Sequence, residues 1–134
     1  MGQADRIAII ASVHQAIPAI RNLVACAGLD SRVVSIRAIE FSEHNFYLLP
    51  QPHEAARKKI VEQSLAAIRE DGAELIVLGS AGMIYFDREV SAALLAEGYD
   101  VPVLESGKSG ITMLEMYIRM GLCVSPLTYP LPPK

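Results

Sequence analysis

The run Gly79-Ser80-Ala81-Gly82-Met83 holds the greatest potential for chemistry in this chain of 134 residues. Glycines on either side of a hydroxyl let the backbone bend tightly and bring N–H groups toward a bound group. The N-terminus of the helix expected next adds partial positive charge. A carboxylate or an imide carbonyl fits such a place. The same glycines also serve as ordinary turn formers after a strand, and periodicity leaves both readings open. The run lacks the Gly-Lys-Ser/Thr of a phosphate loop and the G-x-G-x-x-G of a dinucleotide-binding turn. Only two cysteines are present, Cys26 and Cys123, without C-x-x-C or His/Cys ligand spacing. The pattern therefore predicts neither a disulfide framework nor a metal site.

Positioning these residues falls to strands alternating with helices. Arg6–Ser12 is a β-branched run ending in a small polar residue, which predicts a buried parallel strand. A helix follows, with Pro18 near its start, Ile17, Ile20, Val24 and Ala27 on one face, and Gly28 as its stop. Cys26 is expected to pack within it. Arg32–Ile39 reads as a second strand, and 40–52 as an aperiodic loop of the kind that carries function. Pro52–Asp71 predicts the longest helix, with Ala56, Ile60, Ser64, Leu65 and Ile68 facing a core and Gly72 ending it. Arg57, Lys58 and Lys59 read as its solvated face. Leu75–Leu78 is a third strand, Asp87 an expected N-cap, and Val90, Leu94 and Leu95 mark the next helix, which stops at Gly98. Val101–Leu104 reads as a fourth strand with proline near its start. Gly110, Leu114, Tyr117, Ile118 and Gly121 fit a last helix, before an extended, proline-rich tail at 122–134.

This order predicts one α/β lobe over 1–134, a flavodoxin- or Rossmann-like parallel four-stranded sheet with helices on both faces. Ligands bind such sheets at the carboxyl ends of the strands. Here those ends are Ala11–His14, the 40–52 loop, Gly79–Met83 and Glu105–Gly110. With 12 Lys+Arg against 15 Asp+Glu, no basic footprint for nucleic acid is expected. No apolar run reaches the roughly 20 residues of a membrane span, and the N-terminus lacks a signal-peptide layout, so a cytoplasmic location is expected. A chain that is 51% hydrophobic and 20% charged, without low-complexity tracts, should fold.

Asp71-Gly-Ala-Glu-Leu-Ile-Val-Leu-Gly-Ser-Ala-Gly-Met83, with Val101-Pro-Val-Leu104 and Gly121-Leu-Cys-Val-Ser125 downstream, resembles the hydantoin racemase branch of the aspartate/glutamate racemase superfamily. The similarity runs over nearly the whole chain and matches that family's second half. It implies a cofactor-independent racemase of two similar lobes, with the substrate between them and one cysteine thiol from each lobe. One thiolate removes the Cα proton and the other thiol returns a proton to the opposite face. Ser80 occupies the position of the second cysteine, which makes it the candidate catalytic residue. The resemblance assigns substrate binding to Ser12, Gly79, Ala81, Gly82 and Glu105. Ser12 also reads as a plain strand terminator and Glu105 as a helix cap. His14 and His44 lie on cleft-side loops, where either imidazole could serve as a base for Ser80 or stand as an exposed loop residue.

Two departures shape the expectation. A serine hydroxyl titrates far above a thiol and makes a poor base without a partner. Family members are also about twice this length, and the lobe bearing the first cysteine has no counterpart here. The expected function is a racemase for hydantoin, allantoin or amino-acid-like substrates, weak or inactive by itself. The alternative is a non-catalytic small-anion-binding or assembly module that needs a second chain. The stripe of Leu114, Tyr117 and Ile118 predicts a homo-oligomer or a partner lobe.

Overall fold

A computed structural model describes residues 5–41 and 52–129. His44, the rest of the 42–51 segment, and the tail beyond Tyr129 lie outside the described residues. The strands are β1 (Ile7–Ala11), β2 (Val33–Ala38), β3 (Leu75–Leu78) and β4 (Val103–Glu105). All pair in parallel in the order β2-β1-β3-β4. The helices are α1 (Ile17–Cys26), α2 (Pro52–Asp71), α3 (Asp87–Ala96) and α4 (Ser106–Arg119).

Side-chain alternation divides the core between the two faces of the sheet. Ala8, Ile10, Ile76 and Leu78 pack with Ala56, Ile60 and Ala67 of α2 and with Val90 and Leu94 of α3. Ile7, Ile9 and Leu75 pack with Val24 of α1. The α2 period works as expected, and the buried Ser64 returns its hydroxyl to the Ile60 carbonyl at 2.7 Å. Gly72 stops α2 at a φ of 67° that favours glycine. Arg6 then covers the helix end, donating to the carbonyls of Asp71 (2.6 Å) and Gly72 (2.8 Å). Arg37 ties β2 to the same end through both carboxylate oxygens of Asp71, at 2.6 and 3.1 Å. That bidentate pair holds the Asp71 carboxyl below its usual range, against the opposing effect of burial.

Several expectations are corrected. Cys26 is exposed rather than packed, because two helical steps turn it about 200° from Val24, the one buried residue of α1. The basic cluster on α2 is not simply solvated. Arg57 lies 3.7 Å from Glu89 of α3, while Lys59 donates to the Glu40 carbonyl at 3.3 Å and sits over the Phe41 ring. Strand β4 begins two residues later than predicted: Pro102 has no N–H to offer, and only its carbonyl joins the ladder, accepting from Ile76. Asp87 is the first residue of α3, and Phe86 takes the cap position. The described part of the tail is not fully extended, since Thr128 and Tyr129 both donate to the Ser125 carbonyl in a tight turn.

Helix α4 stands apart. It has no buried residue, and Ile111, Leu114 and Ile118 are 63%, 62% and 77% exposed. Its amphipathic face therefore finds no cover among the described residues.

Candidate functional site

The carboxyl rim of the sheet gathers most of the predicted site residues. Ile10 pairs with Leu78, and Ser12 and Ser80 each lie two residues beyond that pair, just past the carboxyl ends of the adjacent strands β1 and β3. Both are buried, at 3% and 7% exposure. Leu78 also pairs with Glu105, which brings the end of β4 to the same edge. Sheet register thus unites Ser12, the Gly79–Met83 turn and Glu105, and His14 follows directly after Ser12 and Val13.

The turn itself is not the open amide cradle the sequence suggested. The Gly79 N–H extends the ladder by donating to the Ile10 carbonyl at 2.9 Å. Gly79 is needed for close packing rather than for a bend, because a Cβ there would lie 2.8 Å from Ile9 Cγ2 and 3.3 Å from the Ile10 oxygen. Ser80 caps the short 3-10 turn Ala81–Met83: its Oγ accepts from the Gly82 N–H at 3.3 Å and its carbonyl from the Met83 N–H at 2.9 Å. Three amides of the turn are engaged with the chain itself.

Glu105 is 3% exposed and caps α4, its two oxygens accepting from the amides of Gly107 (2.6 Å) and Lys108 (2.8 Å). A carboxylate at a helix N-terminus is well placed, since it satisfies orphan donors and meets the positive end of the helix dipole.

Beside this cap opens a cleft of about 630 Å³, whose walls include Ile84, Tyr85, Arg88, Glu105, Lys108 and Ile111. Among the described residues Glu105 is the one predicted site residue in its lining; the wall that begins at Ile84 starts four residues after Ser80. Asp87 and Lys108 pair across the cleft at 2.8 Å, and the ammonium lowers the Asp87 carboxyl below its usual range. Tyr85 is 83% exposed with a φ of 73°, a left-handed conformation that costs a residue with a Cβ roughly 1–2 kcal/mol. Such strain is common beside ligand sites. Tyr85, Asp87 and Lys108 were not singled out as site residues from sequence; no local pattern marks a cross-cleft ion pair.

At the far side of the rim, His14 and Glu40 form a second cluster. The Glu40 carboxylate accepts from His14 Nδ1 at 2.7 Å and from the His14 backbone N–H at 3.0 Å through the same oxygen. Sequence reasoning missed Glu40, although an acid immediately beyond β2 and a histidine just beyond β1 are natural neighbours in a parallel pair. Among the described residues no cluster of His, Cys, Asp and Glu could hold a metal ion, and no helix is long and apolar enough to cross a membrane.

Residues 1–114 match the family model described as Asp/Glu/Hydantoin racemase. The chain is 31% identical over 114 residues to the hydantoin racemase of Paenarthrobacter aurescens, covering 82% of this chain and 45% of that protein. It is 30% identical over 132 residues to the hydantoin racemase of a Pseudomonas species (strain NS671), covering 98% and 50%. The crystal structure of allantoin racemase from Pseudomonas fluorescens superposes with a TM-score of 0.80 at 31% identity, over 98% of this chain and 53% of that one. The chain therefore spans about half the length of the curated relatives it matches.

Proposed function

The chain belongs to the Asp/Glu/hydantoin racemase family, and from that premise we propose that it is a racemase lobe binding a hydantoin, allantoin or amino-acid-like substrate at the rim beside Ser80. The observation that carries this reading is the joining of Ser12, Ser80 and Glu105 along one strand-end edge, next to a cleft of about 630 Å³. The cleft has room for a small ring and its substituent. Ile84, Tyr85 and Ile111 suit the apolar part, while Arg88 and Lys108 suit polarised oxygens.

Racemisation needs a base on one face of the planar intermediate and an acid on the other. Ser80 Oγ stands where the family's second thiol would act, and a hydroxyl already serving as a turn cap is a weak base. This lobe by itself therefore binds substrate without inverting it efficiently. The reaction needs no cofactor in this scheme.

Proton–nitrogen NMR of the labelled chain, titrated with 5-benzylhydantoin, tests the reading. The expected result is saturable shifts of the Gly79–Met83 and Ile84–Arg88 amides. The absence of shifts at millimolar ligand refutes it.

The exposed face of α4 favours a second reading, in which the lobe acts as an assembly module that completes its site with another copy or a partner lobe. Sedimentation at micromolar concentration is expected to show a species heavier than the monomer, with Leu114→Glu/Ile118→Glu returning it to monomer. A stable monomer for the parent chain rules out self-assembly.

A further inference from the structure

We propose that His14 and Glu40 form a proton-transfer dyad at this rim, with His14 as the catalytic base on one face of the substrate and Glu40 as its positioning residue. The inference rests on the proposed substrate reading and adds the group that does the chemistry.

The first support is the backbone at Glu40. Along the β1–β2 edge, Ala11 accepts from the Ile39 amide at 3.0 Å and Ser12 accepts from the Phe41 amide at 2.9 Å. One step on β1 is thus matched by two on β2, so Glu40 is the extra residue of a bulge. It takes a φ of 50°, unfavourable for a residue with a Cβ, and the surroundings hold it there. The amides on both sides are fixed to β1, and its carbonyl accepts from Lys59 Nζ at 3.3 Å. Strain of this kind, over-determined by its neighbours, concentrates where a side chain must be aimed.

The second support is what the bulge aims. An ionised carboxylate only accepts, so the 2.7 Å contact requires the proton on His14 Nδ1. The neutral imidazole then has its lone pair on Nε2. The His14 amide donates to the same carboxylate oxygen, which locks backbone and ring to one anchor. An imidazole held through Nδ1 by a carboxylate is the arrangement that makes histidine an effective base, because the carboxylate fixes the tautomer and stabilises the imidazolium.

The third support is location. His14 follows Ser12 at the carboxyl end of β1, which lies between β2 and β3 in the sheet, so the dyad flanks the Ser80 turn on the side opposite the cleft, at the edge where parallel sheets bind ligands.

The step balances without any outside reagent. Nε2 takes the proton from Cα of the hydantoin, and the C–H electron pair passes into the Cα–C bond and onto the adjacent carbonyl oxygen as an enolate. The imidazolium exchanges its Nε2 proton with solvent and returns one to the same face. With a single base the product keeps its configuration, so exchange proceeds without inversion.

The test uses the full chain with (S)-5-benzylhydantoin in deuterated buffer, following loss of the Cα proton by NMR and loss of optical rotation in parallel. The expected result is proton loss well above the buffer rate with rotation preserved. His14→Gln should return the rate to that of buffer. Glu40→Gln should lower it at least tenfold with the dissociation constant unchanged within twofold, a split that a merely structural role would not produce. Both side chains are exposed, so the variants should fold, as circular dichroism will verify. Saturable binding without exchange above buffer overturns the dyad and leaves the binding site standing. Exchange that survives His14→Gln, or that racemises as fast as it exchanges, also overturns it. Failure to bind overturns both readings.

Discussion

Replacing Ser80 by cysteine probes the site at the position where the family resemblance and the geometry meet. The Oγ of Ser80 accepts a long hydrogen bond from the Gly82 amide, at 3.3 Å, and losing this cap should cost about 0.5–1 kcal/mol. Fitting a larger sulfur at a site only 7% exposed adds on the order of 1 kcal/mol of packing strain. Together these lower Tm by roughly 5–10 °C for a domain of this size, which leaves it folded. In chemistry the change is far larger. A thiol with an ordinary pKa of about 8.5 is roughly 3% thiolate at pH 7 and about a quarter thiolate at pH 8, whereas the serine hydroxyl is essentially never ionised. Deuterium uptake at Cα of 5-benzylhydantoin should therefore exceed that of the parent chain, and the excess over parent and buffer should rise about eightfold between pH 7 and pH 8. NMR integration of the Cα proton at both pH values measures it. If a folded Ser80→Cys chain that binds the hydantoin exchanges no faster than the parent, position 80 does not face Cα and its assignment to catalysis fails.

Gly79→Ala must fit a Cβ 2.8 Å from Ile9 Cγ2, and the resulting overpacking should cost about 1–3 kcal/mol in a urea titration; a neutral result would show that the β1–β3 contact is looser than the geometry indicates. Glu105→Ala strips the acceptor from two amides at the start of α4 and should cost about 1–2 kcal/mol, with α4 amides exchanging faster in hydrogen-exchange NMR and α2 amides unaffected. The Arg37–Asp71 pair predicts acid sensitivity. Because the folded Asp71 carboxyl titrates below its unfolded value, its contribution is complete above the unfolded carboxylate range and is lost as pH falls through the lower, folded value. Arg37→Met should therefore lower Tm at pH 7, and its deficit relative to the parent should shrink as the pH approaches 3. A deficit independent of pH would mean that Arg37 acts through packing alone.

Much of the scaffold was legible from the chain because its signals are local. The period of Ala56, Ile60 and Ser64 and the stop at Gly72 define α2 with its observed bounds. The β-branched runs at Ile7–Ala11 and Leu75–Leu78 identify the central strands, and their alternation with helices implies the parallel sheet. The Leu-Gly-Ser-Ala-Gly-Met run pointed to the family in the same way, through residues adjacent in sequence. What side chains and amides do at the rim depends instead on partners far apart in the chain. Gly79 reads as a turn former, yet its N–H and its missing Cβ answer to Ile10 and Ile9, about 70 positions earlier. Glu40 looks like the opening of a loop until β2 is set beside β1, when one surplus residue turns its carboxylate onto His14. Glu105 had two readings, and the start of α4 folding over it made it a cap as well as a cleft wall. Periodicity encodes which residues face inward within an element; register and crossover bring distant groups within hydrogen-bonding reach, and no spacing along the chain specifies those distances.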